Sequence, residues 1–106
     1  MNLAQQKCIP CEVGAIPLTH DEAQSQMSGL KDWRLEGALC ITKQFIFKDF
    51  VAAMEFVNSI ARIAEEQGHH PDIEISYNKV LVSLTTHSIN GLTVNDFILA
   101  AKIDAI

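Results

Sequence analysis

The chain has 106 residues, 48% of them hydrophobic, with 8 Lys and Arg against 13 Asp and Glu for a formal charge of −5. That size and apolar content suit one domain with a single core and leave no room for a second. The acidic balance, with no basic stripe interleaved with aromatics, disfavours direct nucleic-acid binding, and no apolar run approaches the roughly 20 residues that span a bilayer.

The N-terminus has no basic start followed by an apolar block, so neither secretion nor membrane insertion is expected. Three cysteines, an odd number, make no disulfide framework and fit a reducing, cytoplasmic compartment. Residues 1–18, with Pro10, Gly14 and Pro17, read as an extended arm without periodicity, leaving 19–106 as the domain. Within the arm, Cys8 and Cys11 form a Cys-x-x-Cys that could be half a zinc site or a redox pair. No second half is visible, Cys40 sits in a strand pattern, and the pair is read as peripheral.

Thr19 to Glu22 is a capping box opening a short helix that runs toward Met27 and stops near Gly29. From Trp33 the period becomes two. Trp33, Leu35, Leu39, Ile41, Phe45 and Phe47 share one parity, predicting two half-buried strands that turn near Gly37 and Ala38. Lys43 breaks that parity and points to a strand edge or bulge. Between Lys48 and Glu66 the period is helical, with Phe50, Met54, Val57, Ala61 and Ala64 on the inward stripe; Phe56 and Ile63 lie off it, on a face read as a subunit contact.

Ile73, Ile75 and Tyr77, then Val80, Val82 and Leu84, alternate with polar or outward residues, and the parity flips across Asn78-Lys79. A two-residue loop there sets Tyr77 opposite Val80 and makes every directly opposed pair sum to 157, with Tyr77 as core packing at the tip. After Gly91, Thr93 and Asp96 cap a last helix with Val94, Phe97, Ile98, Ala101 and Ala105 turned inward. The order α-β-β-α-β-β-α is that of an α+β two-layer sandwich: a four-stranded antiparallel sheet with helices on one face.

Extending the hairpin register to its open end places His87 opposite His70 and Thr86 opposite Pro71, with His69 adjacent. Pro71 fits only the start or edge of a strand. Imidazole, whose ordinary pKa of about 6.5 lets it take and give protons near neutrality, is the natural group for paired acid and base work. Three converging at a hairpin mouth are read as functional, whereas His20 stands alone near the first helix and is read as solvated. Metal ligation is the rival use of clustered histidines, but His69 and His70, adjacent on an extended chain, tend to point apart.

Glu65, three residues, His69-His70-Pro71, five residues, Tyr77, nine residues, His87, eight residues, Asp96: this string resembles the signature of the pterin-4a-carbinolamine dehydratase family. Phe45 to Phe50 resembles the family's entry into its central helix, and Tyr77 to Val80 its hairpin; the likeness covers about residues 31–104. Where several animal members carry an acid before the paired histidines this chain has Gly68, and Ile73 stands where they carry Trp. The resemblance implies a 4a-hydroxytetrahydropterin substrate, left behind by an aromatic amino acid hydroxylase. It implies dehydration to quinonoid dihydropterin with catalytic His69, His70 and His87, with Glu65, Pro71, Thr86 and Asp96 as substrate-binding positions, and with no cofactor. Asp96 is also where a capping box wants it. Homodimers or homotetramers are expected, and since some animal members stabilise dimers of a homeodomain transcription factor, a protein-binding module of the same fold is the alternative function.

Overall fold

The computed structural model describes residues 3–9 and 16–106; Cys11, Pro10 and Gly14 lie outside the described residues. Three α-helices, α1 (His20–Gln26), α2 (Phe50–Gln67) and α3 (Val94–Asp104), combine with four strands, β1 (Arg34–Glu36), β2 (Cys40–Ile46), β3 (Asp72–Ser76) and β4 (Lys79–Leu84). The strands form one antiparallel sheet in the order β1-β2-β4-β3. The fold is therefore the α+β sandwich expected. Among the described residues no helix is long and apolar enough to cross a membrane.

Both capping boxes form. The Thr19 hydroxyl accepts from the Glu22 N–H while the Glu22 carboxylate accepts from the Thr19 N–H, and Thr93 and Asp96 repeat the exchange at α3. The first hairpin turns through Gly37 and Ala38, both at positive φ, so Leu39 is part of a turn and stands exposed rather than facing the core. The helix-facing side of the sheet carries Ile41, Val80, Val82 and Leu84, fully buried against Ile60 of α2 and Phe97, Leu99 and Ile103 of α3.

Several local expectations give way. The second hairpin turns at Tyr77-Asn78, not Asn78-Lys79, because Asn78 is committed elsewhere: its side-chain amide donates to the Phe47 carbonyl at 2.9 Å and its own carbonyl accepts from the Phe47 N–H at 2.8 Å. Ser76 therefore opposes Lys79 and Asp72 opposes Ser83, a register two residues from that expected. Positive φ falls on Tyr77, whose side chain is exposed at the tip and not in the core. In α2 the buried residues are Ala53, Ile60 and Ala64, with Phe56, Val57 and Ile63 packed against the core and Phe50 exposed. Phe56 touches Phe45 and Phe47 at ring-centroid distances of 4.6 and 4.9 Å, and both it and Ile63 are half-buried against the core.

Lys43 is not at an edge. It lies within β2 between two neighbouring strands, in the row of buried Val82. Its ammonium is neutralised at 2.8 Å by Asp104, at the end of α3, and donates to the Lys31 carbonyl at 2.9 Å. The other Asp104 oxygen accepts from the Trp33 indole at 3.0 Å, and the Lys43 ammonium also sits 4.8 Å over the Phe45 ring. A charge on the core side is tolerated because each of these polar groups has a partner.

Residues 3–9, expected within an extended arm, instead lie against the domain. Leu3–Gln5 form a 3-10 turn beside α3 and Leu3 packs against the core. This cover explains why α3 is buried almost all round, Asn95 to Ala100 without a break. A helix apolar on every side needs neighbours on every side.

Lys43→Ala removes the cation and leaves the Asp104 carboxylate without its ion pair. The expected loss is about 1 to 3 kcal/mol of stability in urea unfolding; a variant as stable as the parent would show that the pair contributes nothing.

Candidate active site

Helix α2 ends at Gly68, whose φ of 66° is the left-handed conformation that glycine adopts without a Cβ penalty. This turn releases the chain from the helix and carries His69 beneath the start of α3. There the imidazole Nε2 lies 2.6 Å from Asp96 Oδ1, with the His69 side chain only 11% exposed and that of Asp96 fully buried. The αL requirement also gives a local reason for glycine at this position.

Asp96 has more than one duty. Its Oδ2 accepts from the Thr86 hydroxyl at 2.8 Å and from the Thr93 N–H at 2.9 Å, the latter being the capping-box bond. Thr86 in turn shares a hydroxyl contact of 2.9 Å with Thr93, and its N–H donates to the Gly91 carbonyl at 2.8 Å. One carboxylate thus joins the end of β4, the start of α3 and the imidazole after α2. Each acceptor bond to a buried carboxylate offsets part of its desolvation.

The other two histidines are open to solvent and face carboxylates of their own. His70 Nε2 lies 2.5 Å from Glu65 Oε2, one helical turn back in α2, and His87 Nε2 lies 3.3 Å from Asp72 Oδ2 at the start of β3. Adjacent His69 and His70 diverge as an extended chain dictates, one inward to α3 and one outward to α2.

All three imidazoles nevertheless line one cleft of about 450 Å³, together with Cys8, Ile9, Gln67, Gly68, Thr85, Thr86, Ser88 and Asn95. Ladder pairing is not what gathers them. With the observed register, pairing ends at Asp72 and Ser83, and His87 enters the cleft from a 3-10 turn, His87–Ile89, set up by the bridge between Thr86 and Gly91.

Of the substrate-binding positions expected, Thr86 lines the cleft; Glu65 and Pro71 are not among its lining, Glu65 touching it through His70, and Asp96 reaches it through His69 and Thr86. His20 is exposed in the first turn of α1, away from the cleft. Sequence reading overlooked Asp72, which alternates with Glu74 and Ser76 as an ordinary outward strand residue but follows His69-His70-Pro71 directly. It also overlooked Gln67 and Asn95, for which no local signal exists. Among the described residues no group of three or more His, Cys, Asp or Glu side chains is arranged to hold a metal ion.

Comparison with known proteins gives the chain a family. A family model described as pterin 4 alpha carbinolamine dehydratase matches residues 16–106. A protein of Alkaliphilus metalliredigens named "Putative pterin-4-alpha-carbinolamine dehydratase" is 43% identical over 104 residues, 97% of this chain and 94% of its own. One of the same name from Nitrosospira multiformis is 46% identical over 105 residues, covering 99% of this chain and 92% of that one.

Among solved structures, a transcriptional coactivator/pterin dehydratase from Brucella melitensis superposes with a TM-score of 0.79 at 40% identity, over 85% of this chain and 97% of that one. A pterin dehydratase-like protein described as a RuBisCO assembly factor in the alpha-carboxysome superposes with a TM-score of 0.61 at 26% identity, over 71% of this chain and 88% of that one. A match over most of the chain, full-length relatives at this identity and a shared fold lead to one conclusion: the chain belongs to the pterin 4 alpha carbinolamine dehydratase family.

Proposed function

We propose that this protein dehydrates 4a-hydroxytetrahydropterin to quinonoid dihydropterin, with His69, His70 and His87 as its acid–base groups. The observation that carries the reading is the convergence of three imidazoles, each facing a carboxylate, on one cleft. In the reaction the C4a–O bond breaks and the hydroxyl leaves as water after receiving a proton. The N5–H proton goes to a base, and the electron pair it leaves forms the N5=C4a double bond. Protons and electrons balance, so the step requires no oxidant, nucleotide or metal. One imidazolium supplies the proton to the hydroxyl and one neutral imidazole takes the proton from N5.

The carboxylates define how those imidazoles work. With Asp96 as acceptor, the proton of neutral His69 sits on Nε2 and its lone pair on Nδ1, and the same logic holds for His70 with Glu65, while His87 Nε2 faces the Asp72 carboxylate at 3.3 Å. Asp96, Glu65 and Asp72 are positioning residues that act through the rings they hold. Thr86 contributes directly to the cleft wall, and Pro71 fixes the backbone between His70 and Asp72. The chemistry supports a cytoplasmic setting beside an aromatic amino acid hydroxylase, the class of enzyme that forms the 4a-carbinolamine.

A second reading, contact with another protein or with further copies of this chain, is favoured by a specific observation. Ile46, Phe50, Val51 and Tyr77 are large, apolar and exposed at the β2–α2 junction and the β3–β4 tip, two places joined by the Asn78–Phe47 bonds at the end of the hairpin remote from the histidines. Exposed apolar surface on a domain this small favours association into a dimer or tetramer.

The wild type is expected to accelerate dehydration of enzymatically generated 4a-hydroxytetrahydropterin above the spontaneous rate; no acceleration would sink the enzyme reading. His69→Ala and His87→Ala should each lower kcat by about 10- to 100-fold, less than the full value of an acid–base group because other imidazoles remain. Full activity in both would remove these residues from the mechanism. Asp96→Ala should cost about 3 kcal/mol in denaturant unfolding, since the Thr86 hydroxyl and Thr93 N–H lose their acceptor, and should cut kcat as well; unchanged stability would contradict its structural role. Val51→Lys should lower the mass seen in sedimentation while leaving dehydration per chain intact. An unchanged mass would exclude this face as the contact.

A further inference from the structure

The segment 3–9 lies outside the span matched by the family model and carries none of the histidine chemistry, yet it is bound to the protein by bonds of unusual directness. The Cys8 N–H donates to Gln67 Oε1 at 2.9 Å, and the Ile9 N–H donates to Asn95 Oδ1 at 2.8 Å while the Asn95 amide donates back to the Ile9 carbonyl at 2.5 Å. The Cys8 thiol approaches the Asn95 carbonyl at 3.7 Å. Further along α3, the Lys102 ammonium donates to the Ala4 carbonyl at 2.8 Å.

Ile9 sits by Asn95 and Ala4 by Lys102, so the segment runs antiparallel to α3 over roughly 10 Å of helix rise. The pair of bonds between Ile9 and Asn95 copies with a side chain the two-bond exchange of an antiparallel ladder. Leu3 closes the far end by packing against the core, where it nearly touches Gly29.

The position of these anchors matters more than their number. Asn95 precedes Asp96, the residue that holds His69, and Gln67 precedes Gly68, the left-handed turn that delivers His69. Both anchors, and both residues they hold, line the histidine cleft. The cleft lining therefore joins the histidines, Thr85, Thr86 and Ser88 with Cys8 and Ile9 of the docked segment. Ile9 is the large aliphatic side chain of that lining and is 67% exposed, although its backbone is fixed on both sides. An apolar side chain held in the open at the edge of a polar cleft is placed to cover the face of a flat heterocycle.

We infer that the docked segment is a wall of the pterin site, with Ile9 touching the bound pterin and Asn95 and Gln67 as positioning residues that hold the wall. The inference rests on the pterin reading above and adds a binding element that the histidine signature does not contain. Because the wall touches substrate before and during reaction alike, its loss acts on binding and leaves the proton transfers in place.

The test uses the full chain and three variants. Ile9→Ala trims the contact, Ile9→Pro deletes the N–H donated to Asn95 at a residue whose side chain is exposed, and Asn95→Ala removes the latch from the helix side. KM and kcat for 4a-hydroxytetrahydropterin are measured together with the Kd of 7,8-dihydrobiopterin, followed by fluorescence. Ile9→Ala is expected to raise KM and Kd roughly threefold, and Ile9→Pro and Asn95→Ala roughly tenfold, with kcat changed less than about twofold.

Variants that match the wild type in KM and Kd overturn the wall, as does a fall in kcat alone, which would indicate a disturbance relayed through Asp96. If the wild type shows no dehydration but binds dihydrobiopterin with a Kd that the variants weaken, the wall stands and the dehydratase reading fails. If the wild type is active and the variants are indistinguishable from it, the reverse holds. A wild type that neither dehydrates nor binds overturns both.

Discussion

A buried carboxylate must be surrounded by donors or it unfolds the protein that contains it. Asp96 meets this constraint with three donors drawn from three parts of the chain: the Thr93 N–H, the Thr86 hydroxyl and His69 Nε2. Each is a local requirement of its own element, respectively the open end of a helix, the end of a strand and the polar tip of a half-buried ring. Satisfying all of them at one residue makes the cleft a by-product of stability. The geometry that the chemistry needs and the geometry that the core needs are held by the same bonds.

The opposite end of α3 follows the same logic with a second carboxylate. Asp104, in the last turn, accepts from Lys43 of β2 and from the Trp33 indole just before β1, so the helix is tied to the sheet at both termini. Between these ties Phe97, Ile98, Leu99 and Ala100 have no polar atoms in their side chains and fill the space between sheet, α2 and residues 3–9. Placement of the helix along its axis thus comes from polar contacts and its depth from apolar ones. Both are needed, since hydrophobic burial is not directional.

What could be read from sequence was what depends on neighbours along the chain. Thr19 with Glu22 and Thr93 with Asp96 announced two helix starts, and the parities of β2 and β4 announced a two-layer fold, because caps and pleats repeat over two to four residues. The face of α2 was harder, since Ala and Phe alternate around it and a stripe through Phe50 and Met54 is nearly as apolar as the true one through Ala53, Ile60 and Ala64. The second hairpin slipped by two residues because Asn78 is held by Phe47, a contact no local pattern encodes. The hairpin register expected from sequence set His70 opposite His87; the three histidines do share one cleft, but Gly68 and the turn at His87 bring them together rather than strand pairing. Docking of residues 3–9 was illegible, because its partners Gln67, Asn95 and Lys102 are far along the chain and bind backbone groups, which any sequence offers.

Asn95 and Asp96, consecutive in the first turn of α3, hold two parts of the cleft lining, Ile9 by the former and His69 by the latter. First turns are where helices fray, and local opening proceeds in contiguous cooperative units. The two parts therefore share a single foundation. Fraying of this one turn frees the His69 ring from Asp96 and the Ile9 backbone from Asn95 in the same event, so the Ile9 amide opens with α3, whereas the Cys8 and His69 amides stay bonded to Gln67 and Ala64 of α2.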